Sequence, residues 1–152
     1  MAIKKEMLED LERRRQCIAG EQAKIEARHA KGLMTARERI AGLVDSGSFQ
    51  ESGAHVGHDV HGFGFEKKVL PGDGVVTGLG LVDGRPVSVI SQDFMVSGGS
   101  LGSRHARKMA ETMQQAIELG NPIISMNDSG GARIQEGVRS LAGYGQVFRS
   151  NV

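Results

Sequence analysis

The spacing of apolar residues changes twice along this chain. Through residues 3–30 they are sparse, with Leu8, Leu11 and Ile18 at helical intervals among many charges, which predicts an amphipathic helix that Gly20 can divide in two. Thr35 followed three residues later by Glu38 is the pattern of a capping box. It predicts a short helix over 36–44 with Ile40, Leu43 and Val44 turned inward, stopping near Asp45-Ser46-Gly47. Residues 49–73 carry no period and are rich in Gly and His. GVVTGLGLV (74–82) and RPVSVISQ (85–92) are then β-branched apolar runs, joined by the hairpin dipeptide Asp83-Gly84. FMVSGGSLGS (94–103) reads as a glycine loop. RHARKMAETMQQAIELG (104–120) reads as a helix with Met109, Met113, Ala116 and Ile117 on one stripe and Gly120 as its stop. PIISMN (122–127) is a short strand, and VRSLAGYGQVF is helical again.

Hairpin, helix, strand, helix is the order of an α/β architecture, in which loops at the strand ends form a site. The expected organisation is an N-terminal helical segment over 1–48 and an α/β domain over 49–152. The last helix is just under way at Phe148-Arg149-Ser150-Asn151-Val152, and no strand follows it. So short a sheet leaves apolar faces poorly covered, so the sequence is expected to be part of something longer.

Composition narrows the classes. The 152 residues include no Trp and only 4% aromatics, so the core is built from aliphatic side chains and Met. The 22 glycines are about twice the usual ~7% share and have no period, which excludes a collagen-like chain. A net charge of +1 argues against an electrostatic nucleic-acid binder. Residues 1–40 hold ten Lys/Arg against seven Asp/Glu, an excess that fits a solvated helix face. Cys17 is the single cysteine, which excludes an internal disulfide and a four-thiolate zinc site. The N-terminus is too charged for a signal peptide and no eighteen apolar residues run together, so a soluble, cytoplasmic protein without membrane contact is expected.

Several motifs invite chemistry. His55, His58 and His61 stand three apart with Asp59 among them, but they match no fixed zinc spacing and lie on no regular element, so a loop role is the simpler reading. Ser129 in DSGG resembles a nucleophile turn, yet no His and Asp partners follow from spacing. GGSLG (98–102) ahead of a helix could hold a phosphate with backbone amides, but it lacks the Gly-Lys-Ser/Thr ending of a P-loop. GLGLVDG precedes a hairpin and not a helix, so it is no dinucleotide fingerprint. NDSGGARIQEG (127–137) sits where a strand gives way to a helix, so N–H groups around Ala132 can be left unpaired at a cleft. Such donors form an oxyanion hole suited to an enolate oxygen. The other reading is a plain tight turn with Arg133 and Glu136 as structural ion partners, and the residues alone leave both open.

Three longer blocks carry a resemblance. LERRRQCIAGEQAKIEARHAKGLMTARERI, PGDGVVTGLGLVDGRPVSVISQDFMVSGGSLG and NDSGGARIQEGVRSLAGYGQVF are similar, in this order, to the carboxyltransferase (β) subunits of biotin-dependent acyl-CoA carboxylases. The resemblance implies a crotonase-like fold and transfer of a carboxyl group between carboxybiotin and a short-chain acyl-CoA. It implies Gly131 and Ala132 as donors to the thioester oxygen. Ser129 and Gly130 would form the adjoining wall, with Gly98, Gly99 and Ser100 nearby. Arg28, Lys31 and Arg37 become candidates for the CoA phosphates. Biotin would be carried on a separate carrier protein or subunit, with a biotin carboxylase as partner, no metal in this chain, and a homo-oligomer in the full-length enzyme. An α subunit of a sodium-pumping methylmalonyl- or glutaconyl-CoA decarboxylase fits the same residues. A non-catalytic CoA-binding or assembly module is the rival from another class.

Overall fold

The computed structural model describes residues 4–152; Ile3, where the first helical pattern begins, lies outside them. Gly20, at φ 93, divides that pattern into α1 (Lys5–Ala19) and α2 (Gln22–His29). Neither helix buries a residue fully, as their charge density requires. The capping box is present. The Glu38 N–H donates to Thr35 Oγ1 at 3.2 Å, the Thr35 N–H donates to Glu38 Oε2 at 2.8 Å, and α3 (Ala36–Leu43) starts there. The Thr35 N–H and the His29 imidazole hold the Glu38 carboxyl down at about 2.

Four strands form one sheet in chain order: β1 (Gln50–Ser52), β2 (Val75–Val82), β3 (Arg85–Gln92) and β4 (Ile123–Met126). The first two pairings are antiparallel and β3–β4 is parallel. Asp83 (φ 50) and Gly84 (φ 73) make the expected left-handed hairpin turn. β1 was not expected. Three polar residues are too few to show a period of two, and they pair only as an edge strand.

Alternation in β2 and β3 produces two apolar faces. Val76, Val87 and Val89 pack under Ala36 and Ile40 of α3, with Leu43, Val44 and Phe49 at the margin. The last part of the helical segment expected over 1–48, α3, therefore shares a core with the sheet. On that face Gly78 leaves room for the neighbouring edge, since a Cβ there would stand 2.2 Å from the Gln50 carbonyl and 2.9 Å from the Phe49 ring. On the opposite face Val75, Ile90 and Leu101 pack against Ala106, Met109 and Met113 of α4 (Ser103–Leu119) and Val147 of α5 (Val138–Ser150). The two helices approach closely at Gly143, where a Cβ would sit 2.7 Å from Ala106 Cβ.

The inward stripe of α4 is Ala106, Met109, Met113 and Ala116. Ile117, expected on it, lies beyond its edge and is 61% exposed. The outer side of α5 leaves Val138, Leu141 and Phe148 exposed. No described helix is long and apolar enough to cross a membrane.

α3 packs directly on the Val76/Val87/Val89 face, so its cap carries weight. Thr35→Ala should destabilise the protein by about 1 kcal/mol, read as a lowered urea midpoint at unchanged m-value.

Candidate functional site

Two glycine-rich segments meet beyond the C-terminal ends of β3 and β4. Residues 98–102 lead into α4, and residues 128–133 follow β4. They are laced by backbone hydrogen bonds: Gly130 N–H to Gly98 O at 2.9 Å, Leu101 N–H to Gly131 O at 2.9 Å, and Arg133 N–H to Leu101 O at 3.0 Å. Gly99 (φ 61) permits the approach, because a Cβ there would lie 2.1 Å from the Asp128 carbonyl oxygen. The structure thus brings together Gly98, Gly99, Ser100, Ser129, Gly130, Gly131 and Ala132.

Within the second segment the two expected donors differ. The Gly131 N–H donates to Ser129 Oγ at 3.1 Å. The Ala132 N–H has no acceptor among the described residues, because the bridge to Leu101 uses the groups on either side of it. Ala132 is itself an exposed residue.

The underside of the two loops is electrostatic. Arg133 has no exposed surface, and its guanidinium lies against Asp73 and Glu136, also buried. An arginine carries five side-chain N–H donors. Here Nε donates to Ser100 Oγ, Nη1 to the Asp73 and Glu136 carboxylates, and Nη2 to the carbonyls of Ser100 and Asp73. All five are used. The carboxylates also serve the first turn of α4, whose N-cap, Gly102, has no side chain to offer. Glu136 Oε2 accepts from the Ser103 N–H at 2.6 Å and Asp73 Oδ2 from the His105 N–H at 2.8 Å. The positive helix end offsets part of their charge. Burial still pushes the Asp73 carboxyl up, against the pull of Arg133. A Cβ on Gly102 would stand 2.2 Å from Glu136 Oε1. Arg133 and Glu136 are thus ion partners beneath the turn, and the Ala132 N–H is left without an acceptor among the described residues.

The three candidate phosphate cations are placed differently. Arg28 donates to Asp128 Oδ2 at 2.6 Å and to the Met34 carbonyl at 3.0 Å, beside the second glycine loop. Arg37 makes two bonds to Glu51, at 2.6 and 2.9 Å. Lys31 is exposed and has no ion pair among the described residues. Arg39, which spacing did not single out, donates to the Gln92 carbonyl at 2.5 Å and lies 3.7 Å from Asp128.

His58 donates through Nε2 to the Lys68 carbonyl and accepts at Nδ1 from the Val60 N–H, which uses both ring nitrogens locally. Among the described residues no group of three or more His, Cys, Asp or Glu is placed to hold a metal. Asp59 accepts from Ser103 Oγ at 3.0 Å and pairs with Arg139 and Arg104, tying the His-rich segment to α4 and α5. A separate cleft of about 370 Å³ opens between α1 and the 93–97 segment, lined by Arg37, Glu51, Asp93 and Val96, and includes neither glycine loop. Burial raises the Asp93 carboxyl there despite a bond from the Met95 N–H.

The fold is α/β and crotonase-like. The chain belongs to the family described as the carboxyl transferase domain, which matches residues 27–152. Among curated relatives, the α subunit of methylmalonyl-CoA decarboxylase from Propionigenium modestum is 48% identical over 99% of this chain. The mitochondrial propionyl-CoA carboxylase β chain of Homo sapiens is 54% identical over 92%. Among solved structures, the transcarboxylase 12S hexamer with methylmalonyl-coenzyme A bound is 48% identical, with a TM-score of 0.93 over all of this chain. The chain spans 30%, 26% and 30% of those three proteins.

Arg133→Met should leave two buried carboxylates unpaired and destabilise the protein by about 3–5 kcal/mol. Arg133→Lys, with three donors in place of five, should fall between Met and wild type in the same denaturation series.

Proposed function

We propose that this chain is part of a cytoplasmic carboxyltransferase that moves a carboxyl group between carboxybiotin and a short-chain acyl-CoA. Its own contribution is a backbone donor for the thioester oxygen. The unpaired Ala132 N–H carries the reading, supported by the loop lacing that fixes it and by the family to which the chain belongs.

Removing a proton from the carbon next to a thioester places negative charge on the thioester oxygen. An amide already aimed at that position stabilises the charge without reorganising. In this reading Ala132 is the first donor, and Gly131 becomes a second once its N–H is released from Ser129 Oγ. Gly98, Gly99 and Ser100 form the facing wall with Ser129 and Gly130, where missing side chains let a planar thioester approach. Lys31 supplies unmatched positive charge for the CoA phosphates. Arg28 and Arg37 add to the field while bound to Asp128 and Glu51.

Biotin, carried on another chain with its biotin carboxylase, supplies the carboxyl group. The loops here fit the thioester oxygen, and no residue of this chain is assigned to biotin. The enzyme acts as a homo-oligomer. The 48% identity to a methylmalonyl-CoA decarboxylase subunit supports a second reading, in which the same donor serves removal of the carboxyl group from the acyl-CoA.

The test is transfer of a labelled carboxyl group from methylmalonyl-CoA to free biotin by the complete native protein. The same assay is then run with the 131–132 amide replaced by an ester, which deletes the Ala132 N–H and keeps the Gly131 carbonyl, as a weaker acceptor, for the Leu101 N–H. The ester form should lose about 10²–10³ in kcat with the KM for acyl-CoA little changed. An undiminished kcat removes Ala132 from the role. Release of the label as carbon dioxide without transfer overturns the carboxyltransferase reading.

A further inference from the structure

Behind the second glycine loop lies a chain of buried side chains that the proposed reaction does not consume. His105, on the first turn of α4, is fully buried, and its Nδ1 lies 2.9 Å from the Asp73 carbonyl oxygen. A carbonyl only accepts, so Nδ1 carries the hydrogen. Burial holds the imidazole pKa down at about 3, so the ring is neutral and its Nε2 is left as an acceptor. The group facing Nε2, at 3.2 Å, is the side-chain amide nitrogen of Gln92, the last residue of β3. The other end of that amide, Oε1, accepts from the Asp128 N–H at 3.1 Å.

Every bond in this series points the same way. Asp128 N–H donates to Gln92, Gln92 N–H to His105, and His105 N–H to the Asp73 carbonyl. Turning the Gln92 amide over would set its oxygen against the Nε2 lone pair and its NH₂ against the Asp128 N–H, two repulsive contacts in a site where Gln92 is 5% exposed. The histidine tautomer therefore dictates the amide orientation, and the amide orientation dictates where Asp128 N–H can sit. Asp128 opens the loop that presents Ala132, and Arg28 grips its side chain from outside.

We infer that His105 and Gln92 are positioning residues, a directional hydrogen-bond chain that sets the geometry of the Asp128–Ala132 loop from within the fold. The inference rests on the carboxyltransferase reading for what the loop does, but not for how it is held. The charges facing the imidazole are Asp73 ahead of β2, Arg133 after β4 with Glu136 behind it, and Lys108 one turn along α4.

Gln92→Glu tests direction. A carboxylate can still accept from Asp128 N–H but cannot donate to Nε2, so the chain closes only when the pair takes up one proton, on the carboxyl or on Nε2. In the complete native protein, kcat of this variant should show a titration absent from wild type, with the active limb on the acid side and an unchanged KM for acyl-CoA. Gln92→Met, which bonds neither neighbour, should lower kcat by between about 10- and 100-fold at all pH values, the scale of a slight misplacement. Independently of activity, hydrogen exchange read by mass spectrometry should accelerate over 128–132 in Gln92→Met and stay at the wild-type rate in β2 and β3. Should wild type transfer no carboxyl group, the function is refuted and the exchange data alone decide the chain. Wild-type exchange across 128–132 in Gln92→Met, or a Gln92→Glu pH profile matching wild type, overturns the inference.

Discussion

A guanidinium with no exposed surface is tolerable only when every N–H is met and its charge is matched, and Arg133 satisfies both conditions. Its five donors reach three separate parts of the chain: the turn before β2 through Asp73, the first glycine loop through Ser100, and the following helical turn through Glu136. A point charge such as lysine could neutralise one carboxylate but could not hold three segments in one plane. Two carboxylates against one arginine leave surplus negative charge in a buried place. The N-terminus of α4 absorbs part of it, because both carboxylates also accept from first-turn amides. Helix position, loop position and ion cluster are thus one arrangement.

The loops owe their shape to that support. Glycines at 99 and 102 admit a neighbouring backbone and an ion pair where any side chain would collide. Such a segment has little intrinsic preference for one shape, since glycine gives up the most freedom on ordering. Lacing to its partner loop, Arg133 beneath, and Arg28 with Gln92 at Asp128 replace that missing preference with specific bonds. Catalysis by a backbone donor needs this kind of preorganisation, because the donor cannot be re-aimed by a rotamer change. The turn Pro71–Gly74 joins the same scheme. Asp73 sits there in the left-handed region, and Lys108, 5% exposed with its pKa lowered by burial to about 8, holds the carbonyls of Gly72 and Val75.

What was legible in the sequence was local. The capping box at Thr35 and Glu38, the Asp83-Gly84 hairpin and the Gly120 stop each depend on residues within a few positions, and each stands where expected. Conjunction of the two glycine loops was legible as well, through order and likeness to a family. Long-range pairings were not. Nothing near Asp73 announces that its partner is 60 residues on, and nothing near Arg28 announces Asp128, 100 residues away. Counting charges shows Arg28 and Arg37 only as cations, whereas in the fold Arg28 pairs with Asp128 and the part-exposed Arg37 with Glu51. His105 and Gln92 carry no sequence signal beyond those of their helix and strand, because a buried chain of hydrogen bonds leaves no periodic signature.

Under the proposed function, the unpaired backbone N–H of Ala132 meets the thioester oxygen as negative charge develops on it. The most direct measurement is a crystal structure of the complete native protein with a CoA derivative whose acyl group is replaced by a nitronate, a stable mimic of the enolate. A nitronate oxygen about 2.7–3.1 Å from the Ala132 nitrogen is the predicted result. An oxygen bound instead by side chains or solvent, with Ala132 N–H still unpaired, would remove Ala132 from that role.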